Sequence, residues 1–195
     1  MESIMKCLLC ENYSLTHICK NCQKNFLSPS LYKRRLDNGV EVLSFYKYSE
    51  IKELLFTKHT DLGFYIYTIL AQNSFKIFAQ EFQLEIPCVT IPIDDNINSG
   101  YSHTAILNRS LKSHHLKPLY NVLRATNKIN YSGKSKQFRL ENPKYFTLNK
   151  FEEKNAILVD DIITTGATLT QASKLLKQQG KDVLFCLTLA DVSFK

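Results

Sequence analysis

The sequence predicts an α/β fold in which a parallel sheet flanked by helices carries a small N-terminal cysteine module, and three observations predict it. Ala156, Ile157, Leu158 and Val159 form an unbroken apolar run ending in Asp160 and Asp161, the pattern of a strand covered on both faces. A turn of small residues, Thr164, Thr165, Gly166, Ala167 and Thr168, then opens a helical stripe of Leu169, Ala172, Leu175 and Leu176. Residues 183–190 read as the returning strand, so strand, helix and strand make one βαβ unit. The third observation is Cys7, Cys10, Cys19 and Cys22, spaced C-x2-C-x8-C-x2-C. Each C-x-x-C pair can present two thiolates at about 2.3 Å to one tetrahedral Zn²⁺, and four cysteines leave no open position for catalysis. So short a segment cannot build a core, and metal binding would supply folding energy on the order of 10 kcal/mol.

A chain of 195 residues with 44% hydrophobic content can bury one main core plus a small appendage. The first residues lack the basic region and apolar core of a secretory signal, and no apolar run reaches membrane-spanning length. A cytoplasmic protein is expected, and in that reducing compartment six cysteines point to metal or buried thiols rather than disulfides. The net charge of +7 is concentrated in one place. Residues 101–150 hold 10 Lys and Arg against 1 acid, together with His103, His114 and His115. Either a solvated basic surface or an anionic partner accounts for that excess, the partner being a phosphate-rich ligand or a nucleic acid backbone.

Taken in order, the cysteine knuckles are accompanied by Lys6, Lys20 and Lys24 with Tyr13 and Phe26. Basic and aromatic groups can contact phosphates and stack on unpaired bases, or the two aromatics can pack the module onto the main domain. His17 is a spare ligand or a loop side chain. Ser28, Pro29 and Ser30 form a linker. A hairpin through Val40, Val42, Leu43, Phe45 and Tyr46 turns at Asp37, Asn38 and Gly39. Ser49 is placed to cap a helix through Ile51, Leu54 and Leu55. A second helix over residues 62–71 carries Tyr65, Ile66, Ile69 and Leu70 toward the core. Residues 86–93 read as a strand with Cys88 buried. A basic helix follows over residues 104–112, then a strand over residues 119–123 with Pro118 at its start. Residues 124–146 turn polar and basic, the composition of a functional or disordered loop. Past the central motif, Gly180 occupies the position expected just beyond a helix end, and Cys186 is expected to be buried.

The central motif carries chemistry. Ligands of open α/β sheets bind at the carboxyl ends of the strands, where Asp160 and Asp161 are expected. The unpaired N–H groups and dipole of the following helix favour an anion, and Gly166 permits close backbone approach. Carboxylates beside a phosphate cradle suit a sugar phosphate. The run VDDIITTGATL closely resembles the phosphoribosyl pyrophosphate (PRPP) motif of type I phosphoribosyltransferases. That resemblance implies a type I phosphoribosyltransferase-like sheet, with Asp160 and Asp161 on the ribose 2′- and 3′-hydroxyls. It also implies Thr164, Thr165, Gly166, Ala167 and Thr168 around the 5′-phosphate, and Mg²⁺ bound with PRPP.

Together, the four-cysteine knuckle and the PRPP motif resemble the ComF family, associated with bacterial competence for natural transformation. Tyr46, Lys58 and Asp61 fall where that family has a tyrosine, a lysine and an acid. Gly100 and Tyr101 are similar to its Gly-aromatic pair, Arg124 follows the middle strand, and Arg139, Asn142 and Phe146 match R-x-x-N-x-x-x-F. The chain departs from it where Ile91 and Pro92 lead into Ile93, Asp94, Asp95 and Asn96, and where Ser99 precedes Gly100, in place of arginines. Tyr131 stands where the family often has glutamine. The implied organisation is a zinc-knuckle module over residues 1–30 and a phosphoribosyltransferase-like domain over residues 31–195.

The resemblance implies a DNA-uptake protein handling incoming single-stranded DNA in the cytoplasm, next to inner-membrane uptake machinery, with a PRPP site. Its DNA contacts would come from Lys6, Lys20, Lys24, Arg124, Lys128, Lys134, Lys136 and Arg139. The alternative is an active salvage enzyme that transfers phosphoribosyl from PRPP to a base, with Asp160 and Asp161 stabilising an oxocarbenium-like sugar and Lys58 covering the site.

Overall fold

Strand β9 (Asn155–Ile163) is the member of the sheet around which the site is built. The computed structural model describes residues 4–93, 100–125 and 146–194. In chain order the elements are β1 (Met5–Lys6), β2 (Tyr13–Ser14), α1 (Lys20–Phe26), β3 (Tyr32–Arg35), β4 (Glu41–Lys47) and α2 (Tyr48–Leu55). A 3₁₀ turn (Phe56–His59) leads into α3 (Asp61–Asn73), α4 (Phe75–Glu81), β5 (Cys88–Pro92), α5 (His103–Ser110), β6 (Leu116–Pro118) and β7 (Leu123–Ala125). After β8 (Phe146–Leu148) and β9 come α6 (Ala167–Gln178) and β10 (Asp182–Asp191). Among the described residues six strands form the main sheet, in the order β3-β4-β10-β9-β5-β6. All its pairings are parallel except β3 with β4. The expected parallel α/β architecture is thus present, with one antiparallel edge strand supplied by the 37–39 hairpin.

Alternation along β9 divides the core into two layers. Ile157 and Val159 join Leu187, Ile66, Leu70 and Leu107 on the side covered by α2 to α5. Ala156 and Leu158 join Val89, Leu169, Ala172 and Leu176 on the side covered by α6. Both faces of the strand are dry, which is why its sequence is continuously apolar.

Strand β9 carries Asp160 and Asp161 toward its carboxyl end, as expected, and runs on to Ile163, because Thr188, Ala190 and Asp191 of β10 continue to pair with it. Several local expectations are corrected. Residues 119–123 are not a strand. Leu116–Pro118 pairs with β5 and ends at Pro118, the chain turns at Asn121 with φ 57°, and Leu123 starts a separate pair with β8. Helix α2 begins at Tyr48, and the Lys47 N–H is taken by Glu50 Oε2 at 2.9 Å, so Ser49 lies inside the helix. Tyr65 is half exposed and stacks on His17 with centroids 4.6 Å apart. Helix α4, whose residues Phe75 and Ala79 are buried, was not foreseen.

The cysteine module is fastened to the same core. Ile18, Leu27, Cys7 and Cys22 pack with Phe45 and Phe75, and the buried Tyr46 hydroxyl donates to the Leu27 carbonyl at 2.8 Å. Tyr13 and Phe26 take no part in this, being 78% and 64% exposed. The attachment runs instead through Ile18, Leu27 and the His17–Tyr65 stack.

Candidate functional site

The site forms where β9 ends and α6 begins. Gly166 precedes α6 with φ +80°, a backbone conformation that L side chains rarely adopt. A Cβ there would also stand 2.6 Å from Leu36 Cδ2. Glycine therefore permits the turn, and α6 opens without a side-chain cap on its first N–H groups. Thr164, Thr165, Ala167 and Thr168 are half-buried around it, with Thr165 Oγ1 accepting the Ala167 N–H at 3.3 Å.

Asp160 is half-buried, and its Oδ1 accepts the Asp161 N–H at 2.8 Å. Alternation puts it on the α6 side of the sheet. Asp161 is on the other side and buried. Its Oδ2 lies 3.3 Å from Lys58 Nζ, 3.4 Å from His103 Nε2 and 3.2 Å from the Tyr67 hydroxyl, which donates to it. Burial favours the neutral acid, but the charges of Lys58 and His103 and the hydrogen bond from Lys58 outweigh it. The carboxyl is held well below its ordinary range. Tyr67 moves the opposite way, raised by burial and by the Asp161 charge. The two aspartates are therefore unequal: one faces the α6 turn, the other anchors a buried cluster.

Lys58 is delivered by the 3₁₀ turn after α2, and that turn is clamped from α5's side. The Tyr101 hydroxyl donates to the Lys58 carbonyl at 2.7 Å. Gly63 makes this possible, since a Cβ on it would lie 2.2 Å from both that hydroxyl and the Thr57 carbonyl oxygen. Asp61 opens α3 in the turn just beyond. Thus Lys58, Tyr101 and Asp161, far apart in sequence, meet in one place.

A contributor the sequence did not reveal is Arg34. From edge strand β3 it donates to the Thr164 carbonyl at 2.9 Å and pairs with the fully buried Asp191 at 3.2 Å. Asp191 Oδ1 also accepts the Ser193 N–H at 2.8 Å and its hydroxyl at 2.7 Å. Arg34 thereby braces the turn across the sheet. Its alternating neighbours Tyr32, Lys33 and Arg35 read as an ordinary solvated strand, and only the pairing order could have singled it out.

The four cysteine sulfurs of the module lie within 4.8 Å of one another. Cys10 Sγ and Cys19 Sγ are 3.7 Å apart, close to the roughly 3.8 Å edge of a tetrahedron of sulfurs 2.3 Å from one ion. The Cys19 N–H points at Cys7 Sγ (3.3 Å) and the Cys22 N–H at Cys19 Sγ (3.4 Å), donors that suit thiolates. Burial opposes ionisation of Cys7, yet its backbone donors prevail and lower the thiol to about 6. Donor set and spacing fit a structural zinc ion. Cys88 and Cys186 are buried outside this group, and burial raises both thiols, Cys88 to about 12.

Lys6, Lys20 and Lys24 are exposed on the module, and Arg124 is exposed on β7, near Asn121. Lys128, Lys134, Lys136 and Arg139 lie outside the described residues, as do Asp94, Asp95, Asn96, Ser99, Tyr131 and Asn142. Among the described residues no helix is long and apolar enough to cross a membrane.

Sheet, acid pair and small-residue turn define the chain as a phosphoribosyltransferase-type α/β protein with an N-terminal four-cysteine group. More particularly, it belongs to the PRTase-CE family, whose model matches residues 23–192. Solved structures resemble it at low identity. A hypoxanthine phosphoribosyltransferase from Staphylococcus aureus is 18% identical, over 64% of this chain and 62% of its own, with a TM-score of 0.40. One from Trypanosoma cruzi is 15% identical, over 64% of this chain and 62% of its own, at 0.38. An adenine phosphoribosyltransferase is 17% identical, over 89% of this chain and 90% of its own, at 0.44. The chain thus spans just under two thirds of the length of these hypoxanthine phosphoribosyltransferases. No curated protein matches it.

Proposed function

We propose that the chain binds PRPP at the junction of β9 and α6. The observation that carries this reading is the 164–168 turn, held at φ +80° by Gly166 and braced by Arg34, inside a phosphoribosyltransferase-type family fold. The 5′-phosphate lies against the N–H groups of that turn, where backbone donors and the helix dipole favour an anion. Asp160 accepts from the ribose hydroxyls. Asp161, engaged with Lys58, His103 and Tyr67, holds the ammonium at the mouth, where it meets the pyrophosphate with Mg²⁺. Calorimetry with PRPP and Mg²⁺ tests this: Asp160→Asn should weaken binding at least tenfold, and absence of any binding by the wild-type chain would end the reading. Release of pyrophosphate with a purine or pyrimidine acceptor would make the site that of a salvage enzyme. Binding without turnover would make it a sensing site.

A second reading is favoured by the exposure of Tyr13, Phe26, Lys20 and Lys24 on the cysteine module. With zinc held by Cys7, Cys10, Cys19 and Cys22, that surface suits single-stranded DNA, bases on the aromatics and phosphates on the lysines. This is the ComF-type role in cytoplasmic handling of incoming DNA at an uptake machine. Oligo(dT) binding that falls with salt and is lost in Tyr13→Ala/Phe26→Ala supports it. Binding no stronger than that of a charge-matched control removes it.

A further inference from the structure

Away from β9, a cavity of about 580 Å³ opens along β6, the last strand of the sheet. It lies two strands from β9, about 10 Å across the sheet, and shares no residue with the site above. Its volume is within the roughly 300–1,000 Å³ range of small-molecule sites. Leu116 and Pro118 supply apolar lining, with Tyr120, 45% exposed, beside them. Ser113 and three cations line the rest, and the cations are unequal. Lys117 is bound to Glu153 at 2.7 Å, which neutralises it. Arg109 and Lys112 are exposed, and among the described residues neither is paired with a carboxylate. Arg109 is in the last turn of α5 and Lys112 just beyond its end, and both line the same cavity. The cavity thus has a positive end, an apolar lining and an aromatic ring. Those parts match a phosphate joined to a flat heteroaromatic base.

We propose that this cavity is a nucleotide site, with the phosphate on Arg109 and Lys112 and the base against Tyr120. Arg109 offers a planar fork of donors for phosphate oxygens, and base stacking on an aromatic side chain needs no particular base. A nucleotide reaches the cavity either free or as a unit of a single strand, and the same groups recognise both. The proposal does not depend on PRPP binding at β9.

Calorimetric titration of the full chain with AMP, and separately with dT15, decides it. Arg109→Glu/Lys112→Glu should weaken binding at least thirtyfold, Tyr120→Ala about tenfold, in line with about 1–3 kcal/mol per stacked base. Tyr120→Phe should keep the ring and the affinity. Binding of AMP but not dT15 identifies the free nucleotide as the ligand, and the reverse identifies a single strand. The proposal is overturned if neither probe binds, or if both bind the Arg109→Glu/Lys112→Glu chain as well as wild type. It is also overturned if AMP binding is lost only in Asp160→Asn, which would place AMP in the β9 site and support PRPP binding there. PRPP failing to bind while AMP binding still requires Arg109 and Lys112 would remove the PRPP reading alone.

Discussion

Replacing Asp161 with asparagine removes one charge from a cluster whose other members cannot leave. The carboxylate is 9% exposed and serves Lys58, His103 and Tyr67 at 3.2 to 3.4 Å, with Lys58 25% and His103 14% exposed. Stripping one partner from a buried ion pair costs about 3–5 kcal/mol. Here the asparagine oxygen still accepts from Tyr67, and Lys58 keeps some contact with water, so the cost should be about 2–3 kcal/mol. For a chain of this length that is a fall in Tm of about 4–12 °C. The partner variant Lys58→Met and the double variant complete a cycle whose coupling should be about 1–3 kcal/mol.

The same group predicts a pH dependence with a definite sign. The folded carboxyl is held below its unfolded value of about 3.9, so the unfolded chain binds the proton first as pH falls. The stabilisation is fully present above that value and is lost as pH drops toward the folded one. Urea unfolding followed by circular dichroism should therefore give a wild-type advantage over Asp161→Asn that is present at pH 5 and shrinks below about pH 4. Equal stability of the two chains at pH 7, or an advantage that persists undiminished in acid, would refute the buried-cluster account.

Three further outcomes are expected. Gly166→Ala must hold φ +80° and place a methyl 2.6 Å from Leu36 Cδ2, so it should lose about 1–3 kcal/mol of stability; Leu36→Ala in the same chain should recover only the contact part in a denaturant series. Arg34→Met leaves the buried Asp191 without its cation and the Thr164 carbonyl without its donor, and should cost about 2–4 kcal/mol while weakening PRPP in calorimetry. If zinc fills the cysteine group, a chelator should release one ion per chain and make four of the six thiols reactive to a thiol reagent, with Cys88 and Cys186 reacting only on unfolding.

What was legible in the sequence is what local chemistry determines. The apolar run from Ala156 to Val159 marks a central strand because both of its faces are covered, and the small residues around Gly166 mark a turn because bulkier ones would not fit. Cysteine spacing marked the knuckles for the same reason. Residues 119–123 show the limit: Leu119 and Val122 pack against the core from the turn between β6 and β7, and apolar content alone does not distinguish a turn from a strand. Arg34 and His103 were opaque because their roles arise from strand order and helix docking. The ion pair of Arg34 with Asp191 spans 157 positions, and that of Lys58 with Asp161 spans 103.

The unequal surroundings of Asp160 and Asp161 bear on how a ligand would meet the site. A free lysine side chain gives up as much as about 2 kcal/mol of rotamer entropy when it is fixed on a phosphate. Lys58 is already fixed, by Asp161 at its ammonium and by Tyr101 at its backbone carbonyl. A pyrophosphate arriving there meets a positioned cation, so less of the attraction is spent on ordering. The carboxylate that positions the lysine also offsets its charge, however, which weakens the pull on an anion. The two effects oppose one another, and a positioned but half-neutralised lysine favours reversible binding over tight capture. Asp161→Asn should therefore separate them in PRPP calorimetry, with a more favourable enthalpy from the exposed charge and a less favourable entropy from the freed side chain.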